Sequence, residues 1–481
     1  MKNQRRFRLF NGRFLWLVVL LWLVLVLGVA RPAAATVALE LDGERLATDV
    51  PPVVESGRVL VPFRSLLEAL GAQVSWDART RTATATRRGQ SVQLTVDSTL
   101  ALVNGNQVQI DVPARNLNGH IFVPARFVSE QLGAGVEWDA AANVVRISSR
   151  PGLRAATQQV AVNGKTYSAR VVEIPRSAGL KAEVALAQGR VGAVEDLAAL
   201  ASRTGAIAAI NGTYFQAYAQ PPEPWNTIIY AGRVVHVGDP RGTVGFRDDG
   251  SAVIGLLQVK IEGELDGSYS WPNNWYAYGF NHTPTPGGSS VYIFTPDRGT
   301  NLGFAYGASV VVENGQIQSV VTDEDVAIPS DGFVVNLTGN ETYLLDRLIP
   351  GRSIGYRTVL TDAYGRDWSG VTAAVAAGPL LLIDGQVVVN PVAEGFQEDK
   401  ILTLASTRSA VGVKPDGTVL LVVVPGITVG DMAVLMQSLG ARDATCLDGG
   451  GSSGLWFRGR YMFQPGRLLS NALVFVPADT H

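Results

Sequence analysis

Two stretches of the chain repeat one order of apolar and polar positions. Gly57-Arg58-Val59-Leu60-Val61-Pro62-Phe63-Arg64 lies on Gly119-His120-Ile121-Phe122-Val123-Pro124-Ala125-Arg126. At the same offset, Leu70-Gly71-Ala72 meets Leu132-Gly133-Ala134, and Val74-Ser75-Trp76-Asp77 meets Val136-Glu137-Trp138-Asp139. A duplication without a gap implies two copies of one supersecondary unit. Each copy predicts a short strand, a helix closed by glycine at C′, and a strand turning at Asp into another. Two such α+β units would share one core.

From Arg150 to Asn163 the pattern has no sustained period, so residues 150–164 are expected to be a linker. Beyond it the apolar runs are rich in Val and Ile, as in Ala308 to Glu313 and Thr418 to Val424, and predict strands. Two helices stand out. Ala193 to Thr204 gathers Val194, Leu197, Leu200 and Ala201 on one face, and Val429 to Leu439 starts behind Thr428 with Asp431 three residues on. The expected fold class is α+β: a small duplicated α+β module, then a larger mixed α/β domain rich in β-strands.

Each of these helices is followed by a Gly-Ala pair, a short apolar strand, and a polar residue with glycine behind it. The first series ends at Asn211-Gly212, the second at Asp448-Gly449. Equivalent strand ends would place both polar groups on one rim of a sheet, where open α/β sheets bind ligands. Side chains of Asn211 and Asp448 lying far apart would refute this.

Composition narrows the function classes. The 481 residues are 47% hydrophobic and 17% charged, with a formal net charge of -2, so large cores are expected and global disorder is not. No basic block follows the first residues, which argues against nucleic-acid binding. Lys2, Arg5, Arg6, Arg8 and Arg13 precede an apolar run from Phe14 to Ala30, then Ala33-x-Ala35. Residues 1–35 thus predict a signal peptide, or an anchor helix if uncleaved, and an exported chain, extracellular or wall-associated. A membrane contact is expected only through an uncleaved segment. Cys446 is the only cysteine, so no intramolecular disulfide is available, and its apolar strand suggests a buried, inert thiol. With four histidines, dispersed, no metal or other cofactor is expected.

The chemistry concentrates in Asp448-Gly449-Gly450-Gly451-Ser452-Ser453. An acid beside three residues without Cβ lets backbone N–H groups approach an anion closely, although a glycine-rich segment alone is more often a tight turn. Three further segments accompany it: Asn211-Gly212-Thr213-Tyr214-Phe215, Ala377-Gly378-Pro379 before Leu380 to Gly385, and Thr407-Arg408-Ser409-Ala410-Val411-Gly412. The chain closes with Arg467-Leu-Leu-Ser-Asn471-Ala472. In this order, from about Tyr167 to Val476, they resemble the phosphodiester glycosidase family. The duplicated module, residues 37–149, resembles the copper amine oxidase N-terminal (stalk) domain. With only His120 and no cysteine it has no plausible copper site. It is expected to act as a spacer or as a contact to wall polymer, with Arg64 and Arg126 either ligands or braces. The glycosidase-like domain is assigned residues 165–478.

That resemblance implies hydrolysis of a sugar 1-phosphodiester. A phosphate ester leaves readily, so protonation by a carboxylic acid matters less than in ordinary glycoside hydrolysis. The catalytic candidates are Asp448, as nucleophile, general base or stabiliser of a cationic sugar, Arg408 on the phosphate, and Asn211 positioning a hydroxyl, phosphate or water. Arg408 has the competing reading of an ion-pair partner at a strand edge. Substrate-binding candidates are Thr213, Gly378, Gly449, Gly450, Gly451, Ser452, Ser453 and Asn471. Thr213 stands where many relatives carry a second glycine. The aromatic stretch Trp271 to Phe280 offers sugar stacking or packing under a loop, and His282 is expected in an exposed loop. The alternative to a hydrolase is a noncatalytic wall- or glycan-binding protein of the envelope.

Overall fold

A computed structural model describes residues 37–478; the predicted signal segment lies outside the described residues. The chain divides into two compact units between Pro151 and Gly152. The molecule is mostly β, with several sheets and few helices.

The duplication is visible in the smaller unit. Arg58–Pro62, the helix Phe63–Ala69 and Gln73–Asp77 have their counterparts in His120–Pro124, the helix Ala125–Gln131 and Gly135–Asp139. The two first strands pair antiparallel at the centre of one sheet, with Val61 opposite Val123. Both helices contribute to one core, Leu66 and Leu67 from one copy and Val128 from the other. Each helix ends where Gly71 and Gly133 take positive φ, 78° and 75°, the left-handed conformation that glycine adopts without a Cβ penalty. Arg64 and Arg126 lie exposed, each paired with a Glu four residues on.

In the larger unit three antiparallel sheets face a common core. The first runs Arg154–Val162, Lys165–Ile174, Val419–Ile427, Ser406–Val413, Asp443–Cys446, Leu380–Ile383, Gln386–Val387. The second orders Leu180–Leu186, Asn471–Pro477, Ala208–Asn211, Leu455–Phe457 and Arg460–Phe463; the third is built on Val371–Ala376, Arg241–Arg247 and Ala252–Leu265. Val172, Leu421, Val423, Val184, Ile210, Leu473, Val244 and Val375 fill the space between them. The Val419–Ile427 strand is apolar on both sides because its other face, Leu420, Val422 and Val424, packs under the helix Val429–Ser438 through Met432, Leu435 and Met436. The helix Leu197–Thr204 covers the outer face of the second sheet in the same way.

Two expectations are corrected here. Residues 154–162 are not a linker but an edge strand paired over its whole length with Lys165–Ile174. Its pattern is weak because an edge strand needs only main-chain partners and a lightly buried face. The first predicted helix is shorter, Leu197–Thr204, because Asp196 caps it by accepting from the N–H groups of Ala198 and Ala199.

Candidate active site

The strand Ala208–Asn211 of the second sheet and the strand Asp443–Cys446 of the first end beside one another. Asn211 and Asp448 therefore meet, but across two facing antiparallel sheets rather than on one rim. Asn211 is buried, and its amide joins three segments. Its Nδ2 donates to the Asp448 carbonyl at 2.7 Å, while its Oδ1 accepts from Ser409 Oγ at 2.7 Å and from the Gly454 N–H at 3.0 Å. Asn471 does similar work one strand over, its Oδ1 accepting from the Thr213 N–H at 3.1 Å and its Nδ2 donating to Ser470 Oγ at 2.8 Å. Each asparagine is thus spent on backbone and a serine hydroxyl, and the Asn211 bond to the Asp448 carbonyl fixes where Asp448 sits.

Asp448 lines a cavity of about 610 Å³ together with Gly449, Gly450, Gly451, Ser452 and Arg408. Its carboxyl pKa is pushed up to about 6, first by burial; a hydrogen bond from Ser452, the Gly449 N–H and the charges of Arg467 and Lys400 oppose that rise. Gly450 to Ser452 form a single 3₁₀ turn, with Gly450 at φ 61°. Facing this turn is the loop from Tyr214 to Ala219, with Trp225. Of the cavity's lining residues, Asp448 is the only acid, and Lys400, Arg408 and Arg467 are the cations.

Arg408 is buried with its guanidinium committed to the backbone. Its Nε donates to the Ile427 carbonyl at 3.2 Å, and its Nη2 to those of Lys400 and Leu404 at 2.6 and 3.0 Å. It braces the turn that carries Lys400, and it is not the strand-edge ion-pair partner considered from sequence. Arg467 is exposed, lies 5.3 Å over the Tyr218 ring and donates to the Tyr218 hydroxyl at 3.2 Å.

The remaining candidates separate. Thr213 is buried with its hydroxyl 3.4 Å from Asn226 Oδ1, and Ser453 is buried with its Oγ unpartnered; neither is among the residues lining the cavity. Gly378, at φ 70°, precedes a cis Pro379. Its bend is clamped by buried Glu394, whose carboxylate accepts from the Gly242 and Leu380 N–H groups, both at 2.7 Å. Gly378 also lies off the cavity wall. The Trp271 to Phe280 aromatics are elsewhere too: Trp275 is buried in another core, and the Tyr276 and Tyr278 hydroxyls donate to Glu341. His282 is not in an open loop, its Nδ1 lying 3.0 Å from buried Glu223. Cys446 is buried, which pushes its thiol up to about 12.

Sequence reasoning missed Lys400, Tyr218 and Trp225, and gave Arg467 no role. Lys400 and Tyr218 stand in polar stretches without motif, so no sequence signal marks them. Arg467 lies in the closing motif, which was a signal. Among the described residues no cluster of three or more His, Cys, Asp or Glu is arranged to hold a metal, and no helix is long and apolar enough to cross a membrane.

Similar solved structures share this architecture. A hypothetical protein from Synechocystis superposes with a TM-score of 0.60 at 18% identity, covering 92% of this chain and 99% of that one. A Burkholderia pseudomallei protein provisionally described as exported follows at 0.53 and 21%, covering 65% and 74%. A weaker likeness, 0.38 and 14%, covering 73% and 92%, is to the catalytic domain of a zebrafish N-acetylglucosamine-1-phosphodiester alpha-N-acetylglucosaminidase, auto-inhibited by its pro-peptide. No curated protein matches. Residues 40–147 match the copper amine oxidase N-terminal domain and residues 306–476 the phosphodiester glycosidase family. A copper amine oxidase N-terminal match over residues 40–147 is thus followed along the chain by a phosphodiester glycosidase match over residues 306–476. Asp448, Arg408, Gly378 and Asn471 fall inside the second match, whereas Asn211 and Thr213 precede it.

Proposed function

We propose that the protein is an exported hydrolase that cleaves a sugar 1-phosphodiester in cell-envelope or extracellular glycans. The observation that carries this reading is the single buried carboxyl of Asp448 beside a glycine turn and two exposed cations, in one cavity. Ordinary glycoside hydrolysis needs two carboxyl groups, one to protonate the leaving oxygen. One carboxylate suffices when the leaving group is a phosphate, whose charge falls to Lys400, Arg467 and the N–H groups of Gly450 and Gly451, the Gly449 N–H being held by Asp448 itself. Asp448 then serves the anomeric carbon, as nucleophile or as base for water. The anomeric C–O bond breaks, water oxygen ends on the sugar, and the phosphate leaves with its own oxygen. Asn211, Asn471, Thr213 and Arg408 act as positioning residues. The basic and apolar run of residues 2–30 supports export, and the small module is read as a spacer or wall contact.

The test is incubation of the protein with a panel of sugar 1-phosphodiesters in ¹⁸O-water. Label in the released sugar is expected, with turnover by Asp448→Asn lower by about 10²- to 10⁴-fold. Label in the phosphate, or glycan binding with no turnover on any diester, would overturn the reading; the latter result would favour a noncatalytic binding protein.

A further inference from the structure

A second cavity, of about 460 Å³, opens next to the first. Trp225, 49% exposed, belongs to the walls of both. Its other walls include His236, Gln258, Tyr278, His282 and Tyr292. The wall is built rather than incidental. Buried Glu223 accepts from the Thr283 N–H and Oγ1 and from Arg298 Nη1, and its Oε2 lies 3.0 Å from His282 Nδ1. The His282 ring in turn packs on those of His236 and Tyr292 at 5.9 and 5.2 Å between centroids.

His236 gives the cavity its chemistry. It is 2% exposed, and its Nδ1 lies 2.9 Å from the Asn226 carbonyl. A carbonyl only accepts, so Nδ1 carries the proton and Nε2 presents a lone pair. Nε2 has no partner and is itself buried, a costly state; a donor reaches it only when a neighbouring wall side chain moves aside. Burial and the neighbouring His282 hold this imidazole down to about 4, so it is neutral at ordinary pH. A neutral acceptor suits a hydroxyl donor, and the charged residues of the wall, Asp239 and Arg241, are one of each sign, so the cavity carries no net charge to select an anion. Half-exposed aromatic rings beside it, Trp225 and Tyr278, supply flat faces of the kind on which sugar rings stack. Gln258, also exposed, adds an amide able to donate and accept.

We propose that the second cavity is a saccharide subsite adjoining the first, so that the preferred substrate is an oligosaccharide or longer glycan bearing the phosphodiester rather than a single sugar. For its place in catalysis this rests on the proposed function of the first cavity; the binding of sugar does not. Each cavity is within the size range of a small-ligand site, and the shared Trp225 makes them one track.

The experiment has two arms on the full chain. In the first, gluco-, manno- and N-acetylglucosamine oligosaccharides of one to four units are titrated calorimetrically against wild type, Tyr278→Ala and Gln258→Ala. Both positions are exposed, and melting curves check that the variants fold. Affinity should rise with length in at least one series, and each substitution should weaken it by about tenfold. No binding by any series, or binding that neither substitution weakens, would overturn the subsite. In the second arm, kcat/KM is compared for one-sugar and longer 1-phosphodiesters. The longer diesters should be preferred by wild type, and the preference lost in both variants. Turnover of one-sugar diesters with no gain on lengthening would overturn the subsite and leave the proposed function standing. Saccharide binding without turnover of any diester would keep the subsite and sink the proposed function.

Discussion

At Asp448 the fold holds a carboxyl where its charge is disfavoured, and that has a measurable sign. The group titrates near 6 in the folded protein against a usual 3.8, so the folded state binds the proton more tightly than the unfolded one. Stability is then lost as pH rises from about 4 through 6, by roughly 3 kcal/mol in all. Asp448→Asn should therefore melt at a higher temperature than wild type at pH 7.5, with the difference shrinking as pH falls toward 4. A variant that melts lower at pH 7.5 would count against the burial argument. If the ionised form is the reactive one, kcat/KM should fall on the acid side with an apparent pKa near 6, measured on any turned-over diester. Gly212 shows how closely this corner is packed: a Cβ there would lie 1.9 Å from Asn471 Oδ1. Gly212 and Asn471 both stand in motifs singled out in the sequence, Asn471 as a substrate-binding candidate. That the two are each other's reason could not be read there, because the contact joins residues distant in the chain.

Among the elements, the helix Val429–Ser438 was the most legible. Thr428 Oγ1 accepts from the Asp431 N–H at 3.1 Å, as its cap position predicts. The Asp431 carboxylate stays beside Thr428 and also accepts from Asn163 Nδ2 and the Tyr167 hydroxyl, so tertiary partners share the group that a capping box uses. Loops were the least legible elements. The segment from Pro221 to Trp225 is pinned through Glu223, whose carboxyl is held down to about 2, against the desolvation that burial imposes, by His282, Arg298 and Thr283. Arg298 is buried as well, with its side chain 5% exposed. Removing one partner of such a pair leaves the other charge buried, so Glu223→Ala should destabilise the protein by about 3–5 kcal/mol in urea unfolding. A loss under about 1 kcal/mol would mean that this network is solvated and does not hold the loop.

For the whole molecule, the division between Pro151 and Gly152 separates the core shared by the duplicated halves from the cores of the larger unit, the principal one enclosed by three sheets. A unit with its own core should fold alone. A chain beginning at Gly152 is expected to unfold cooperatively and to keep diester turnover within about twofold of the full chain. A fragment that aggregates or melts without cooperativity would show that the small module is needed for folding.

What the amino-acid order determined by itself was local. The duplication, the glycine stops at Gly71 and Gly133, the Thr428 start and the glycine-rich turn at Asp448 to Ser453 follow from periodicity, backbone permissiveness and residue chemistry within a few positions. The tertiary structure alone decided that Asn211 and Asn471 brace backbone, that Arg408 holds a turn while Lys400 and Arg467 stand beside Asp448, and that residues 154–162 are a strand. An amide or guanidinium is defined by the partner that reaches it. For the two asparagines those partners come from segments roughly 200 residues or more away, brought together by sheets closed over one core; for Arg408 they are nearby carbonyls that only the folded turn aims at its guanidinium.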